Sequence, residues 1–355
     1  MIKKRVSINV GAGYDVHIGP ALLDTCGETL RQVLGECRLA IITDSNVERL
    51  YLDKVKKSLS SSGFESVSLT FPAGESSKNI STLSAILEFL AENNFTRKDA
   101  VVALGGGVVG DICGFASSVF LRGIRYVQIP TTLLSAVDSS VGGKTAIDLE
   151  AGKNLAGAFK QPEVVICDTD TLSTLNETEL SNGVAESVKY GILFDKELFD
   201  EFAKSDLKSL LDDKEKLVNM IARCVSHKGR IVEKDEFDNG ERRLLNLGHT
   251  IGHAVEKCSS FSVPHGHAVA IGTSMIARAG EEKGLTECGT FDAVKTVLEK
   301  YALPTSCEFS SCELLSSSLN DKKRKGNKIG LVIIESIGKC YIKEEPIEAL
   351  ESYIK

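Results

Sequence analysis

The stretch Ala103–Asn154, ALGGGVVGDICGFASSVFLRGIRYVQIPTTLLSAVDSSVGGKTAIDLEAGKN, decides the fold. It completes a β-rich run, Ala100–Leu104, which breaks at Gly105, Gly106 and Gly107 and gives way to a helix-compatible segment. Gly105, Gly107 and Gly110 match G-x-G-x-x-G in the strand-to-helix context that the motif requires. Glycines there let backbone N–H groups approach a pyrophosphate at the positive end of the helix dipole. Taken alone, the glycines also fit a tight strand–helix turn with no ligand. The residues that follow favour the ligand. Asp111 stands directly after Gly110, Thr131-Thr132 end the next strand (Tyr126–Ile129), and Asp138, Lys144, Lys153 and Asn154 come soon after. Hydroxyls, carboxylates and ammonium groups gathered at strand ends suit a pyrophosphate and a sugar.

Two familiar nucleotide motifs fit less well. Gly143-Lys144-Thr145 ends like a P-loop, but that motif needs glycine where Asp138 stands, which excludes an NTPase. An ordinary Rossmann fold has its glycine turn on the first strand, with an acid about 20 residues later. Here several β/α units precede the glycines, and the acid at a strand end, Asp44 in Ile41–Asn46, lies upstream. A dinucleotide site would therefore be assembled in a different chain order.

Reading outward, Val6–Val10 and Tyr14–Ile18 form a hairpin, Ala21–Leu34 a helix, Leu39–Thr43 a strand and Val47–Leu59 a helix. The strand Val67–Phe71, the helix Ile80–Glu92 and, beyond the glycine stretch, the strand Val164–Cys167 continue the alternation. Such βαβα order predicts a parallel sheet, with ligands beyond the carboxyl ends of its strands, near Asp44, Glu75, Lys78 and Gly105. After about residue 170 the pattern turns helical: Glu177–Gly191, Leu198–Ala203, Lys214–Val232, His249–Cys258, His267–Lys283 and Thr290–Tyr301. Strands return at Ile329–Ile334 and Cys340–Ile342. The predicted fold class is an α/β N-terminal domain (1–170), with a parallel-rich sheet and a dinucleotide-binding glycine turn, plus a mainly α-helical C-terminal domain (171–355) for metal and substrate.

A chain of 355 residues with 42% hydrophobic and 26% charged content is that of an ordinary globular protein of two domains. A net charge of −7 argues against nucleic acid or an anionic membrane as main partner. The ten cysteines are scattered, without C-x-x-C. No apolar run follows Met1–Arg5, and no uncharged run is as long as a membrane span. A reducing cytoplasm is the compartment expected.

Four of the six histidines are His249, His253, His265 and His267. His249 and His253 lie one helical turn apart, so both could face one ion, with His265 returning after Pro264 and Glu186 adding a carboxylate. Hydrogen-bonded histidines without metal fit the spacing equally well. Lys228, Arg242, Arg243 and Asn246, with Lys322 and Lys323, are read as surrounding the cluster. Arg242 and Asn246, a turn apart, suit a carboxylate or phosphate.

Together Gly105–Asp111, Phe120–Gly123, Pro130–Thr132, Asp138–Lys144, Asn246–Ala254 and His265-Gly266 resemble the 3-dehydroquinate synthase family, in the family's order and over nearly the whole chain. The resemblance implies an enzyme that uses Zn2+ or Co2+ and catalytic NAD on 3-deoxy-D-arabino-heptulosonate 7-phosphate. Its products are 3-dehydroquinate and phosphate, in the shikimate pathway to chorismate and the aromatic amino acids.

It further implies metal ligands Glu186, His249 and His265, with His253 contacting substrate instead, which would correct the two-histidine chelate. NAD would meet Asp44 and Asn46, Glu75 and Lys78, and the glycine turn Gly106, Gly107, Val108, Val109, Gly110 and Asp111. Further NAD contacts would be Thr131, Thr132, Asp138, Lys144, Lys153 and the turn Thr171, Leu172, Ser173, Thr174. Substrate would be held by Lys144, Asn154, Lys189, Lys228, Arg242, Asn246, His253 and one of Lys322 or Lys323. Arg122 resembles an arginine that reaches a neighbouring subunit's site, which implies a homodimer. The family has an acid after His265-Gly266, where this chain has His267. A related sugar phosphate cyclase and a metal-dependent alcohol or glycerol dehydrogenase are the alternative enzymes; a non-catalytic NAD sensor is expected to have lost the ligands.

Overall fold

The run Ala100–Leu104 is apolar throughout because it is covered on both faces. The computed structural model describes residues 3–319 and 328–354. Its strands are β1 (Lys4–Ile8), β2 (Tyr14–Gly19), β3 (Leu39–Asp44), β4 (Ser66–Phe71), β5 (Ala100–Gly105), β6 (Arg125–Pro130), β7 (Lys144–Leu149), β8 (Gly152–Phe159) and β9 (Val164–Asp168). Seven form one sheet in the order β1-β2-β9-β6-β5-β3-β4, parallel except for the β1–β2 hairpin.

Alternate residues of the central strands face opposite cores, as the pleat requires. On one face Leu30, Val55 and Leu59, from the helices Cys26–Leu34 and Asp53–Ser61, cluster with Leu39, Ile41, Val102 and Leu104. On the other, Ile86, Leu90, Ile112 and Ala116, from the helices Ile80–Glu92 and Gly107–Val119, cluster with Ala40, Ile42, Val101 and Ala103. From β3 the chain moves outward to β4, then returns to place β5 on the other side of β3. The sheet order thus reverses between β3 and β5, where the strands end at Asp44 and Gly105. A crevice at such a switch point is where open α/β sheets bind ligands.

Three local expectations are corrected. The helix expected from Ala21 begins at Cys26. Ala21 has φ 55°, and the Ala21 and Leu23 N–H groups donate to the carboxylates of Asp170 (3.0 Å) and Asp168 (2.8 Å) instead of a helical ladder. The helix expected at Val47–Leu59 is helical from Ser45 to Ser61 but passes through a π-turn at Glu48–Leu52. The segment after Lys144, to which the sequence pattern assigns no element, is the two-stranded hairpin β7–β8. This hairpin packs on the helix Gly107–Val119 at Gly114, where a Cβ would collide with Thr145.

The compact units are discontinuous. Met1–Leu175 with Lys214–Phe237 form the first, and Asn176–Asp213 with Asp238–Lys355 the second. The helix Lys214–Lys234 therefore belongs with the sheet. Its Glu233 carboxylate accepts from the Asn9 backbone (2.7 Å) and side chain (2.9 Å), and its Gly229 lies against Ile8. The second unit is built on the helices Glu177–Phe194, His249–Cys258 and His265–Glu282. It also holds an antiparallel hairpin of β10 (Lys328–Ser336) and β11 (Lys339–Pro346), followed by the helical turn Ile347–Tyr353. Its short helix Leu207–Asp212 and the helix Ser311–Leu319 are not apparent from periodicity. Among the described residues no helix is long and apolar enough to cross a membrane.

Candidate active site

In the second unit three glycines bring two helices close. Gly248, in the left-handed region at φ 76°, starts the helix His249–Cys258; a Cβ there would collide with Thr273. A Cβ on Gly272 would strike the Gly248 carbonyl, and one on Gly252 would come within 3.0 Å of the Ala268 carbonyl. Gly266 packs as tightly on the helix Glu177–Phe194, donating its N–H to Asn182 Oδ1 at 2.5 Å. His249 and His265, each the first residue of its helix, are thereby brought to Glu186.

Glu186 is fully buried. Its Oε1 lies 3.6 Å from His249 Nε2 and 3.6 Å from His265 Nε2, while its Oε2 contacts the buried Lys189 ammonium. One donor atom from each of Glu186, His249 and His265 falls within 4.8 Å of the others. Both rings use Nδ1 elsewhere: His249 Nδ1 pairs with the Leu247 carbonyl at 3.0 Å, and His265 Nδ1 with Glu256 Oε2 at 3.3 Å. An acceptor on Nδ1 holds the proton there and leaves the Nε2 lone pair for an ion. Two imidazoles and a carboxylate make a three-ligand set that leaves a fourth position for substrate.

Burial, then the neighbouring Lys189 and histidine charges, hold the His249 pKa well below the ordinary value. Burial would lower His265 too, but hydrogen bonds to Glu186 and Glu256 and the charges of both carboxylates outweigh it, raising it to about 10, so an ion that takes the His265 Nε2 lone pair displaces a proton. His253, His265 and Glu256 form a second grouping, so His253 and His249 face different sets of partners. Glu256 is buried and was missed in the sequence. The available signal was an acid three residues after His253 and seven after His249, on their side of the helix. His267 pairs through Nε2 with Ser181 Oγ at 2.8 Å, so a neutral hydroxyl is its partner. Arg242 is buried, and both it and Asn246 lie on the turn Glu241–Asn246 before His249. Lys322 and Lys323 lie outside the described residues.

In the first unit, the glycine turn closes as expected. A Cβ on Gly105 would come within 2.5 Å of Val109, so the first helical turn folds directly over it. Thr131 N–H donates to the Gly105 carbonyl (3.0 Å), and the buried Thr131 hydroxyl has no hydrogen-bond partner among the described residues. Thr132 pairs with Ser135 (2.8 Å). Asp44 Oδ1 caps the next helix at Asn46 N (2.8 Å) and Val47 N (3.0 Å). The buried Lys78 ammonium donates to Asp111 Oδ2 (2.5 Å) and Asn154 Oδ1 (2.6 Å), and Lys153 lies 3.6 Å from Glu75. Burial works against the charge on Lys78, but the Asp111 and Glu75 carboxylates outweigh it and raise its pKa.

Lys228, on the helix Lys214–Lys234, donates from Nζ to the Asp138 carbonyl (2.6 Å) and pairs with Asp138 Oδ1 (2.9 Å). The turn Thr169–Thr174 is held by the Tyr51 hydroxyl, 3.1 Å from the Thr171 carbonyl and 2.6 Å from Thr174 Oγ1. Lys144 is exposed at the start of β7. Arg122 is exposed on a turn where Leu121 (φ 49°) and Arg122 (φ 64°) are both left-handed.

The fold defines a sugar phosphate cyclase architecture. The chain superposes with a TM-score of 0.89, at 26% identity and over 99% of its length and 98% of the other chain, on 2-epi-5-epi-valiolone synthase from Streptomyces hygroscopicus subsp. jinggangensis 5008, solved with NAD+ and Zn2+ bound. It superposes equally, with a TM-score of 0.89, at 23% identity and over 99% of both chains, on 2-deoxy-scyllo-inosose synthase complexed with carbaglucose-6-phosphate, NAD+ and Co2+. The models of the 3-dehydroquinate synthase N-terminal and C-terminal regions match residues 68–182 and 183–324. The 3-dehydroquinate synthase of Streptococcus sanguinis (strain SK36) is 42% identical over 346 residues, covering 96% of this chain and 97% of that protein. The chain belongs to the 3-dehydroquinate synthase family.

Proposed function

We propose that the chain is a cytoplasmic, homodimeric 3-dehydroquinate synthase dependent on NAD and on Zn2+ or Co2+. It converts 3-deoxy-D-arabino-heptulosonate 7-phosphate into 3-dehydroquinate and phosphate by transient oxidation, β-elimination, re-reduction and intramolecular aldol closure. The observation that carries the reading is the donor set of Glu186, His249 and His265, with each imidazole tied at Nδ1 and its Nε2 at Glu186. When bound, the ion lowers the pKa of substrate hydroxyls and NAD offers a transient hydride acceptor.

The residues of the chain do the positioning. The switch point between β3 and β5 offers Asp44 and Asn46 for a ribose, and the Gly106–Asp111 turn for a pyrophosphate. Glu75, Lys78, Thr131, Thr132, Asp138, Lys153 and the Thr171–Thr174 turn complete the nucleotide contacts. Lys144, Asn154, Lys189, Lys228, Arg242, Asn246 and His253 hold the polyanionic substrate, with Lys322 or Lys323. Arg122 serves the partner subunit's site. Holding one reactive conformation is most of what elimination and ring closure demand, and that fits an array of cations and amides without an activated Ser or Cys.

The deciding assay follows phosphate and 3-dehydroquinate with NAD far below substrate. Turnover should proceed with no steady accumulation of NADH, stop with a chelator, and resume with zinc or cobalt. Stoichiometric NADH, or full activity in a verified metal-free preparation, would return the chain to the alcohol dehydrogenases.

A further inference from the structure

The hairpin β7–β8 changes register at one residue. Ile147 pairs with Ala156 but Leu149 pairs with Gly152, so Lys153, Asn154 and Leu155 stand opposite Asp148 alone. A bulge of this kind re-aims side chains and recurs beside active sites. Within it Asn154 takes φ 54°, a left-handed conformation that asparagine visits more readily than other non-glycine residues and that a backbone hydrogen bond here fixes.

Asp148 is what holds it. Its Oδ1 accepts the Asn154 backbone N–H at 2.8 Å, while its own N–H donates to the Lys78 carbonyl at 2.8 Å. Lys78 closes the circuit by donating from Nζ to Asn154 Oδ1 at 2.6 Å. An ammonium can only donate, so it fixes which end of the Asn154 amide it meets. Oδ1 is taken, and among the described residues the Nδ2 group keeps its two donors for an acceptor on a ligand.

We propose that Asp148 is a positioning residue for substrate. It acts through the Asn154 backbone to fix the carboxamide as a hydrogen-bond donor, and it links that donor to the nucleotide-side residues Lys78 and Asp111. The inference rests on the reading of Asn154 as a substrate residue.

Asp148→Ala should raise KM for the heptulosonate phosphate about ten-fold, the loss of one hydrogen bond to a charged acceptor, with a smaller change in kcat. Asp148→Asn keeps an acceptor and should stay within about two-fold of wild type. In an Asn154→Ala background Asp148→Ala should add little, since the group it positions is gone. Hydrogen exchange gives a readout independent of substrate: the peptide bearing the Asn154 amide should lose protection in Asp148→Ala only.

A full ten-fold penalty in the Asn154→Ala background, or unchanged exchange at Asn154, overturns the inference. An Asn154→Ala enzyme with unchanged KM would instead overturn the substrate reading of Asn154, and exchange would still decide the role of Asp148. If Asp148→Ala does not fold, Asp148→Glu moves the acceptor by one methylene and should raise KM several-fold; an unchanged KM overturns the inference.

Discussion

An imidazole binds an ion well through one nitrogen when its other nitrogen is held by an acceptor. His249 has the Leu247 carbonyl for that purpose and His265 has Glu256. In zinc competition against a chelator, His249→Ala should lose the metal, whereas His253→Ala should keep it and lose turnover. Glu256→Gln should retain the fold and bind zinc roughly 10–100-fold more weakly, the usual effect of removing such an acceptor. Equal zinc loss in the two histidine variants would restore the chelate of neighbouring helical turns and remove His253 from substrate. This distinction was not legible from spacing, because His249 and His253 share a helix face. What separates them is the partner each meets beside His265: Glu186, brought up by the helix Glu177–Phe194, for His249, and Glu256, three residues along their own helix, for His253.

At the scale of elements, the metal cluster depends on how closely the helices His249–Cys258 and His265–Glu282 approach. Gly272→Ala would place a methyl on the Gly248 carbonyl, and overpacking of that kind costs about 1–3 kcal/mol. A lower urea midpoint together with reduced zinc content is expected. A variant with wild-type midpoint and zinc content would show that these helices separate without disturbing the ligands. The strand Ala100–Gly105 and its glycine turn were legible because an unbroken apolar run ending in glycines has few other solutions. The β7–β8 hairpin was not, since lysines, glycines and an asparagine give no alternating pattern and its order comes from packing at Gly114. The start of the first helix was misread because Asp168 and Asp170, far along the chain, claim the amides before Cys26.

For the whole molecule, the proposed homodimer makes a testable demand. If Arg122 serves the partner's site, inactive Arg122→Ala and inactive Lys189→Ala proteins should regain activity when mixed. One site of the heterodimer then collects both defects and the other neither. Heterodimers shown to form but without activity would confine Arg122 to its own subunit. The sequence marked the end of β/α alternation near residue 170, yet the helix Lys214–Lys234 returns to the sheet, a step no local pattern announces. That return has a consequence for biogenesis. Asn9 and Glu233 meet across 224 residues of chain, so the N-terminal strands leave the ribosome long before the helix that covers them. At about 5–20 residues per second the nascent chain carries that uncovered surface for roughly 10–45 seconds. Chains stalled before and after Phe237 clears the exit tunnel should therefore differ in protease resistance. The duration of this exposure is set by the pace of translation, not by the folding barrier of the sheet.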